Sequence, residues 1–308
     1  MPAPIRVLVS GSGKMGRAII DAIAADDRLD LAGALLHDQE SAMATPIRVL
    51  VSGSGKMGRA IIDAIAADDS VEPVGAVDKL DAADDLPLPG GAHIPLFHDT
   101  TTAFAAAKPD VVIDFTNAAW TPIVAQAALD HGTRMVIGTT GLPEAFIAQL
   151  GRDCRERKVG AVIAANFALG GILMMHLAKI AARFFDSAEI IELHHDQKVD
   201  APSGTSIATA HAMIEGRDGK PFARNVPETQ TIEGSRAAAY DGITIHSVRL
   251  PGLVAHQEVL FGGTGQTLSI RHDSIGRDSF MPGILLATRE VMRRDDLVIG
   301  LDALIGLV

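Results

Sequence analysis

A short apolar strand, then Gly-x-Gly-x-x-Gly, then an amphipathic helix limits a fold more than any other local pattern. The glycines let the backbone turn tightly and approach a pyrophosphate under a helix start. This chain carries the pattern twice. Residues 4–27 read PIRVLVSGSGKMGRAIIDAIAADD, and residues 46–69 repeat them without a difference, 42 residues on. The glycines are Gly11, Gly13 and Gly16 in the first copy and Gly53, Gly55 and Gly58 in the second. Two copies without drift are no solenoid, which needs several units; they fit either a recent duplication or an artefact of gene assembly.

The residues after each copy tell the two apart. After the second, a strand over residues 71–77 ends in Asp78-Lys79. An acid at this strand tip can accept hydrogen bonds from ribose hydroxyls, and the adjacent lysine can meet a 2′-phosphate. NADH and NADPH therefore both fit the pattern. After the first copy, the aligned strand over residues 29–35 ends in Leu36-His37, and leucine accepts no hydrogen bond. The second copy is thus the expected cofactor site, built from Gly53, Ser54, Gly55, Lys56, Met57, Gly58, Asp78 and Lys79. Residues 1–45 are expected to be an appended βαβ-like segment. The eight residues from Asp38 to Thr45 span at most about 26 Å.

Beyond residue 78, strand and helix patterns alternate. Strands are predicted at 93–97, 110–115, 134–137 and 159–164, with helices at 101–107, 121–131 and 143–156. The run Asp-Val-Val-Ile-Asp-Phe at 110–115 is the continuous apolar type of a buried parallel strand. Thr116, the Gly138-Thr139-Thr140 turn and Asn166 all fall at predicted strand ends, where ligands of such sheets lie. After an apolar helix over 169–185, strands dominate, at 190–194, 243–249, 257–261 and 267–272. Residues 216–242 read as a loop. The fold class is α/β: a doubly wound parallel (Rossmann) sheet with a second α+β domain on a mixed or antiparallel sheet. The expected division is 1–45 for the extra copy, 46–167 for dinucleotide binding, 168–277 for substrate and oligomer contacts, and 278–308 for a C-terminal return. The helix at 279–294 and the apolar stretch at 297–307 carry that return.

Charge and cysteine content narrow the function. The net charge is −11 over 308 residues, which argues against nucleic acid as a partner. An anionic ligand must then be held by a few local cations. The single cysteine, Cys154, excludes an internal disulfide and fits a reducing compartment. Neither a signal peptide nor a spanning segment is read, so the expected location is the cytoplasm, without membrane contact. No metal-ligand spacing is found, and no metal is expected.

The chemistry concentrates in Glu192-Leu193-His194-His195-Asp196-Gln197-Lys198-Val199-Asp200-Ala201-Pro202-Ser203-Gly204-Thr205. A strand runs into it, and Ser203 is a good N-cap for a helix beginning near Thr205. Two imidazoles and an ammonium thus precede a helix start, which favours an anion. The site suits a carboxylate substrate with a proton donor beside it. The run Glu192-x-His194-His195-x-x-Lys198-x-Asp200-x-Pro202-Ser203-Gly204-Thr205 resembles the signature of the bacterial dihydrodipicolinate reductases of lysine biosynthesis. The resemblance covers residue 46 to the C-terminus and leaves only the first copy outside. It implies that His194 is the acid/base residue and Lys198 the proton donor. It implies that His195, Lys198, Ser203, Gly204 and Thr205 hold the carboxylates of a small dicarboxylate substrate. Gly138, Thr139 and Thr140, and likewise Ala164, Ala165, Asn166 and Phe167, match loops that face the nicotinamide in that family. A homotetramer is implied too. Two other readings stay open on the residues alone: a catalytically silent nucleotide-binding module, and another amino-acid-pathway dehydrogenase.

Overall fold

The computed structural model describes residues 5–10, 29–35 and 45–307. The chain forms two compact units, Met1–Pro46 and Ile47–Val308. In the first, β1 (Ile5–Ser10) pairs in parallel with β2 (Leu29–Leu35). Gly11, Gly13, Gly16, the helix after them, and Leu36 and His37 lie outside the described residues.

The second unit opens with β3 (Ile47–Ser52), α1 (Lys56–Ala66) and β4 (Val71–Val77). The β3–β4 pairing repeats that of β1–β2 residue for residue, including a one-step register shift, after Val7 in one pair and Val49 in the other. The identical strands β1 and β3 thus pair in the same register with second strands, LDLAGAL and VEPVGAV, that lie outside the repeated stretch and differ in sequence. Next along the chain are β5 (Asp85–Pro87), β6 (His93–Phe97), α2 (Thr100–Ala107), β7 (Val111–Asp114), α3 (Thr121–His131), β8 (Arg134–Ile137), α4 (Glu144–Arg157) and β9 (Ala161–Ile163). Then come α5 (Leu169–Ala181), β10 (Ser187–His194), α6 (Gly204–Gly216), β11 (Ala238–Tyr240), β12 (Ile243–Arg249), β13 (Ala255–Gly263) and β14 (Gln266–Ser274). A 3-10 turn at Arg277–Phe280 leads to α7 (Met281–Val291), β15 (Leu297–Ile299) and α8 (Leu301–Leu304).

Eight strands form one sheet in the order β15-β9-β8-β7-β3-β4-β6-β5. All its pairs are parallel except β5–β6. Helices cover both faces, which is why its strands read as unbroken apolar runs. On one face Ile61, Ile62 and Ile65 of α1 join Ile284 and Val291 of α7. On the other, Phe104, Val124, Leu129 and Leu150 come from α2, α3 and α4. Val49, Leu50 and Val51 at the centre of β3 are fully buried. Each such side chain contributes about 1.5–3 kcal/mol on burial. The strand order reverses at β3, between β4 and β7, so the crevice beyond its carboxyl end is the place for a ligand.

The second sheet runs β11-β12-β10-β13-β14 and is mixed: β10 is parallel to β12, and the other pairs are antiparallel. Ala178 and Ala182, with Ala210 and Met213 of α6, pack one face onto Ile190, Ile245, Val259 and Phe261. The opposite face carries ion pairs, Glu189 with Arg236 and His246, and Glu258 with Arg271.

The helix predicted over 169–185 stops at Ala181. Arg217 donates to the carbonyls of Ala182 and Phe185, taking groups a continuing helix would have used. The three-residue strands β5, β11 and β15 were not predicted. Among the described residues no helix is long and apolar enough to cross a membrane.

Candidate active site

Beyond the ends of β3, β4 and β7 lies a cleft of about 510 Å³. Its walls include Gly53, Gly55, Lys56, Met57, Gly58, Asp78 and Lys79, with Thr116, Asn117 and Trp120 opposite. Gly53 has φ +93°, and a side chain on Gly58 would place its Cβ 1.9 Å from the Gly53 carbonyl oxygen. These two positions therefore admit only glycine. Gly55, the N-cap of α1, faces open space and offers no side-chain cap. The first amides of an eleven-residue helix thus point into the cleft without a side-chain partner. That arrangement fits a dinucleotide pyrophosphate.

Asp78 stands at the tip of β4. Its carboxylate accepts from Ser54 N and Ser54 Oγ, both at 2.8 Å, and from Leu80 N at 2.9 Å. Burial raises its pKa, but these hydrogen bonds outweigh burial and hold the carboxyl below its ordinary value. An ionised acceptor at this point fits ribose hydroxyls. Trp120 Nε1 donates to Ser52 Oγ at 3.0 Å and fixes the far wall.

The loops at the strand ends are locked to one another. Asp114, buried at the end of β7, accepts from Thr116 Oγ1 at 2.7 Å, from Thr139 Oγ1 at 2.9 Å and from Thr121 Oγ1. Thr116 N donates back to Thr139 Oγ1 at 3.1 Å. The Thr139 hydroxyl is therefore structural, while Thr140 is exposed. Gly138 is glycine because a Cβ there would lie 2.1 Å from the Phe115 ring. Phe167 is buried and packs against Phe115 in a tilted contact, centroids 5.1 Å apart, so its side chain belongs to the core. Sequence reading missed Asp114. Its signal was faint: an acid closing an apolar strand, with threonines nearby.

His194 ends β10. Glu192, two residues back on the same face, is fully buried. It accepts both terminal nitrogens of Arg249, at 3.0 and 2.8 Å, and also bonds His194 Nδ1. Arg249 Nη2 donates onward to the Asp200 carbonyl at 2.6 Å. Burial lowers the His194 pKa; Glu192 pulls the other way without restoring it. The neutral ring keeps its hydrogen on Nδ1, toward Glu192, and leaves Nε2 with a lone pair.

His194 shares a cavity of about 160 Å³ with Ala165, Asn166, Thr205, Gln257 and His272. A neighbouring cavity of about 190 Å³ is lined by Ala164, Ala165, Asn166, Gly204, Thr205 and Asp302. Ser203 is buried, and its hydroxyl accepts from Ser206 N at 3.2 Å as the cap of α6. Its side chain is thus spent on the helix, and the amides of Gly204 and Thr205 are left for an anion. The structure brings His194, Gly204 and Thr205 together with Ala164, Ala165 and Asn166. His195 and Lys198 lie outside these walls, in a turn closed by Lys198 N to the His195 carbonyl at 3.2 Å. The Lys198 ammonium sits on Asp200, 2.7 Å away.

A cleft shaped for a dinucleotide at the switch point of a parallel sheet, beside an imidazole-lined cavity at a helix start, defines a nicotinamide-dependent oxidoreductase. The family model described as "Dihydrodipicolinate reductase, N-terminus" matches residues 47–167, and that for the C-terminus matches residues 170–305. The chain belongs to the dihydrodipicolinate reductase family. It is 46% identical over 235 residues to a 4-hydroxy-tetrahydrodipicolinate reductase of Dehalococcoides mccartyi, covering 76% of this chain and 88% of the relative. With the Geobacillus kaustophilus enzyme of the same name the identity is 51% over 212 residues, 69% of this chain and 80% of the relative. Among solved structures, a dipicolinate-bound dihydrodipicolinate reductase from Paenisporosarcina sp. TG-14 superposes with TM-score 0.76 at 41% identity, over 84% of this chain and 99% of that one. An amine dehydrogenase from Mycobacterium smegmatis, TM-score 0.59 at 13% identity over 84% of this chain and 96% of its own, shares the fold alone.

Proposed function

We propose that this protein reduces 4-hydroxy-tetrahydrodipicolinate to tetrahydrodipicolinate with NADH or NADPH, in lysine and diaminopimelate biosynthesis. The observation that carries the proposal is the His194 imidazole, anchored through Nδ1 on buried Glu192, beside the free amides of Gly204 and Thr205. The reduced nicotinamide supplies a hydride to a carbon of the substrate ring when bound. Water leaves from the hydroxylated carbon, negative charge develops on the ring nitrogen, and one proton must be delivered.

Gly53, Gly55 and Gly58 hold the pyrophosphate and Asp78 the adenosine ribose, with Lys79 beside it. Gly138, Thr139 and Thr140, together with Ala164, Ala165, Asn166 and Phe167, shape the nicotinamide end, with Asp114 fixing Thr139. The amides of Gly204 and Thr205 take one carboxylate, and His195 and Lys198 close over the same anion. Lys198 is the proton donor and Asp200 sets its resting position. A neutral His194 serves as the acid/base partner that orients the ring and passes the proton on. Residues 46–167 and 278–308 then carry the cofactor, and 168–277 carry the substrate. The charged outer face of the second sheet is the surface on which four copies assemble. The chain works in the cytoplasm.

The test is oxidation of NADH and NADPH, with the unstable substrate formed in situ by dihydrodipicolinate synthase. Turnover that depends on the synthase is the expected result. Dinucleotide binding without any such turnover would sink the proposal.

A further inference from the structure

The pairing of β10, β13 and β14 places a second imidazole in the substrate cavity. Glu192 lies opposite Gln257, which lies opposite His272; in the next row His194 faces Ala255, which faces Ser274. Directly opposed residues share a face. His272 therefore stands on the same side as Glu192 and His194, two strands away. Two inter-strand steps are about 9.6 Å. Between the imidazoles the middle strand offers only Ala255 and the Gln257 amide. That amide is drawn off toward α6: its nitrogen donates to Thr209 Oγ1 and its oxygen accepts from Ser206 Oγ, both at 2.8 Å.

The His272 ring rests on the first turn of α5. A Cβ on Gly170 would lie 2.5 Å from His272 Cδ2. One on Gly171 would lie 3.4 Å from His272 Nδ1 and 3.1 Å from Asn166 Nδ2. Two glycines in a helix start thus make room for an imidazole beside an amide that also lines the cavity. Burial lowers the His272 pKa, and no hydrogen bond among the described residues contributes to it. His256, on the same cavity rim, differs. Its Nδ1 is bonded to Asp273 at 2.6 Å and its Nε2 accepts from Val254 N at 3.3 Å, so both nitrogens are engaged. His272 is the imidazole of this pair left for a ligand.

We infer that His272 is a substrate-binding residue, donating a hydrogen bond to the carboxylate that Gly204 and Thr205 do not take. The inference rests on the function proposed above. His194 and His272 then flank the ring across the width of one strand, each within reach of an acid-bearing side.

Two full-length variants test it, His272→Asn and Gly170→Ala. The first removes the imidazole; the second displaces it with a residue favourable in a helix. Calorimetric titration with dipicolinate and with NADH is paired with steady-state kinetics. His272→Asn is expected to weaken dipicolinate binding and raise KM about tenfold, as the loss of a charge-assisted hydrogen bond does. NADH affinity should stay unchanged and kcat should move less than KM. Gly170→Ala should shift KM in the same direction by a smaller factor. Dipicolinate affinity and KM within about twofold of the parent in both variants would overturn the inference alone. A parent chain that neither binds dipicolinate nor turns over would overturn the proposed function and this inference with it.

Discussion

Glu192 is the residue that holds the His194 pocket together. A fully buried carboxylate is tolerable only when its charge is met, and here Arg249 and His194 meet it from two sides. Burial raises its pKa, but hydrogen bonds, Arg249 foremost, hold it below the ordinary glutamate value. A carboxyl depressed in the folded state contributes stability that is complete above its unfolded value, about 4.3, and is lost as pH falls through the folded one. His194, also depressed, acts in the same direction: its contribution is full above about 6.5 and declines with acid. Urea midpoints should therefore fall as pH drops below about 6.5, and His194→Gln should flatten the upper part of that fall. Glu192→Gln leaves the half-buried Arg249 guanidinium without its charged partner and should cost about 1–3 kcal/mol in the same measurement. Lys198→Ala, on the exposed turn, should leave the melting temperature unchanged and reduce kcat by about 10²-fold or more. Near-normal turnover would remove Lys198 from the mechanism. Cys154 has no part in this chemistry: it is buried, and burial pushes its thiol up to about 11.

Among the elements, the glycine turn is the least tolerant. Gly58→Ala would drive a Cβ into the backbone of Gly53, where nothing can yield. We expect that variant to lose NADH binding in calorimetry while the far sheet, probed by hydrogen exchange, stays protected. This turn was legible in the sequence because its requirements are local. Strand, glycines and helix are consecutive, and the α6 cap at Ser203 is equally local. The central strands were legible because burial on both faces leaves an unbroken apolar run. The features that escaped are fixed by distant partners. The strands β5, β11 and β15 are three residues long, too short for a period, and exist through pairing with β6, β12 and β9. The early end of α5 depends on Arg217, more than thirty residues on. Arg249 reaches Glu192 across 57 residues, and Thr139 reaches Asp114 across 25. His272 reads as an ordinary alternating strand residue until the register of three strands puts it beside His194.

For the whole molecule, the question is how the first copy affects the second. Both copies pair their strand with the following one in the same register. The family matches begin at residue 47, and the unit they cover is compact by itself. A chain beginning at Thr45 should therefore keep kcat and NADH affinity within about twofold of the full chain in the coupled assay. Higher activity in the shortened chain would mean that the duplicate interferes with the cofactor cleft.

Trp120 is the chain's single tryptophan, and it lies in the wall of that cleft, hydrogen-bonded to β3. All indole emission therefore arises at one point. A reduced nicotinamide bound in the cleft would absorb that emission by energy transfer. The protein thus carries an intrinsic optical label for its second glycine turn, one that reports dinucleotide bound there without any added dye.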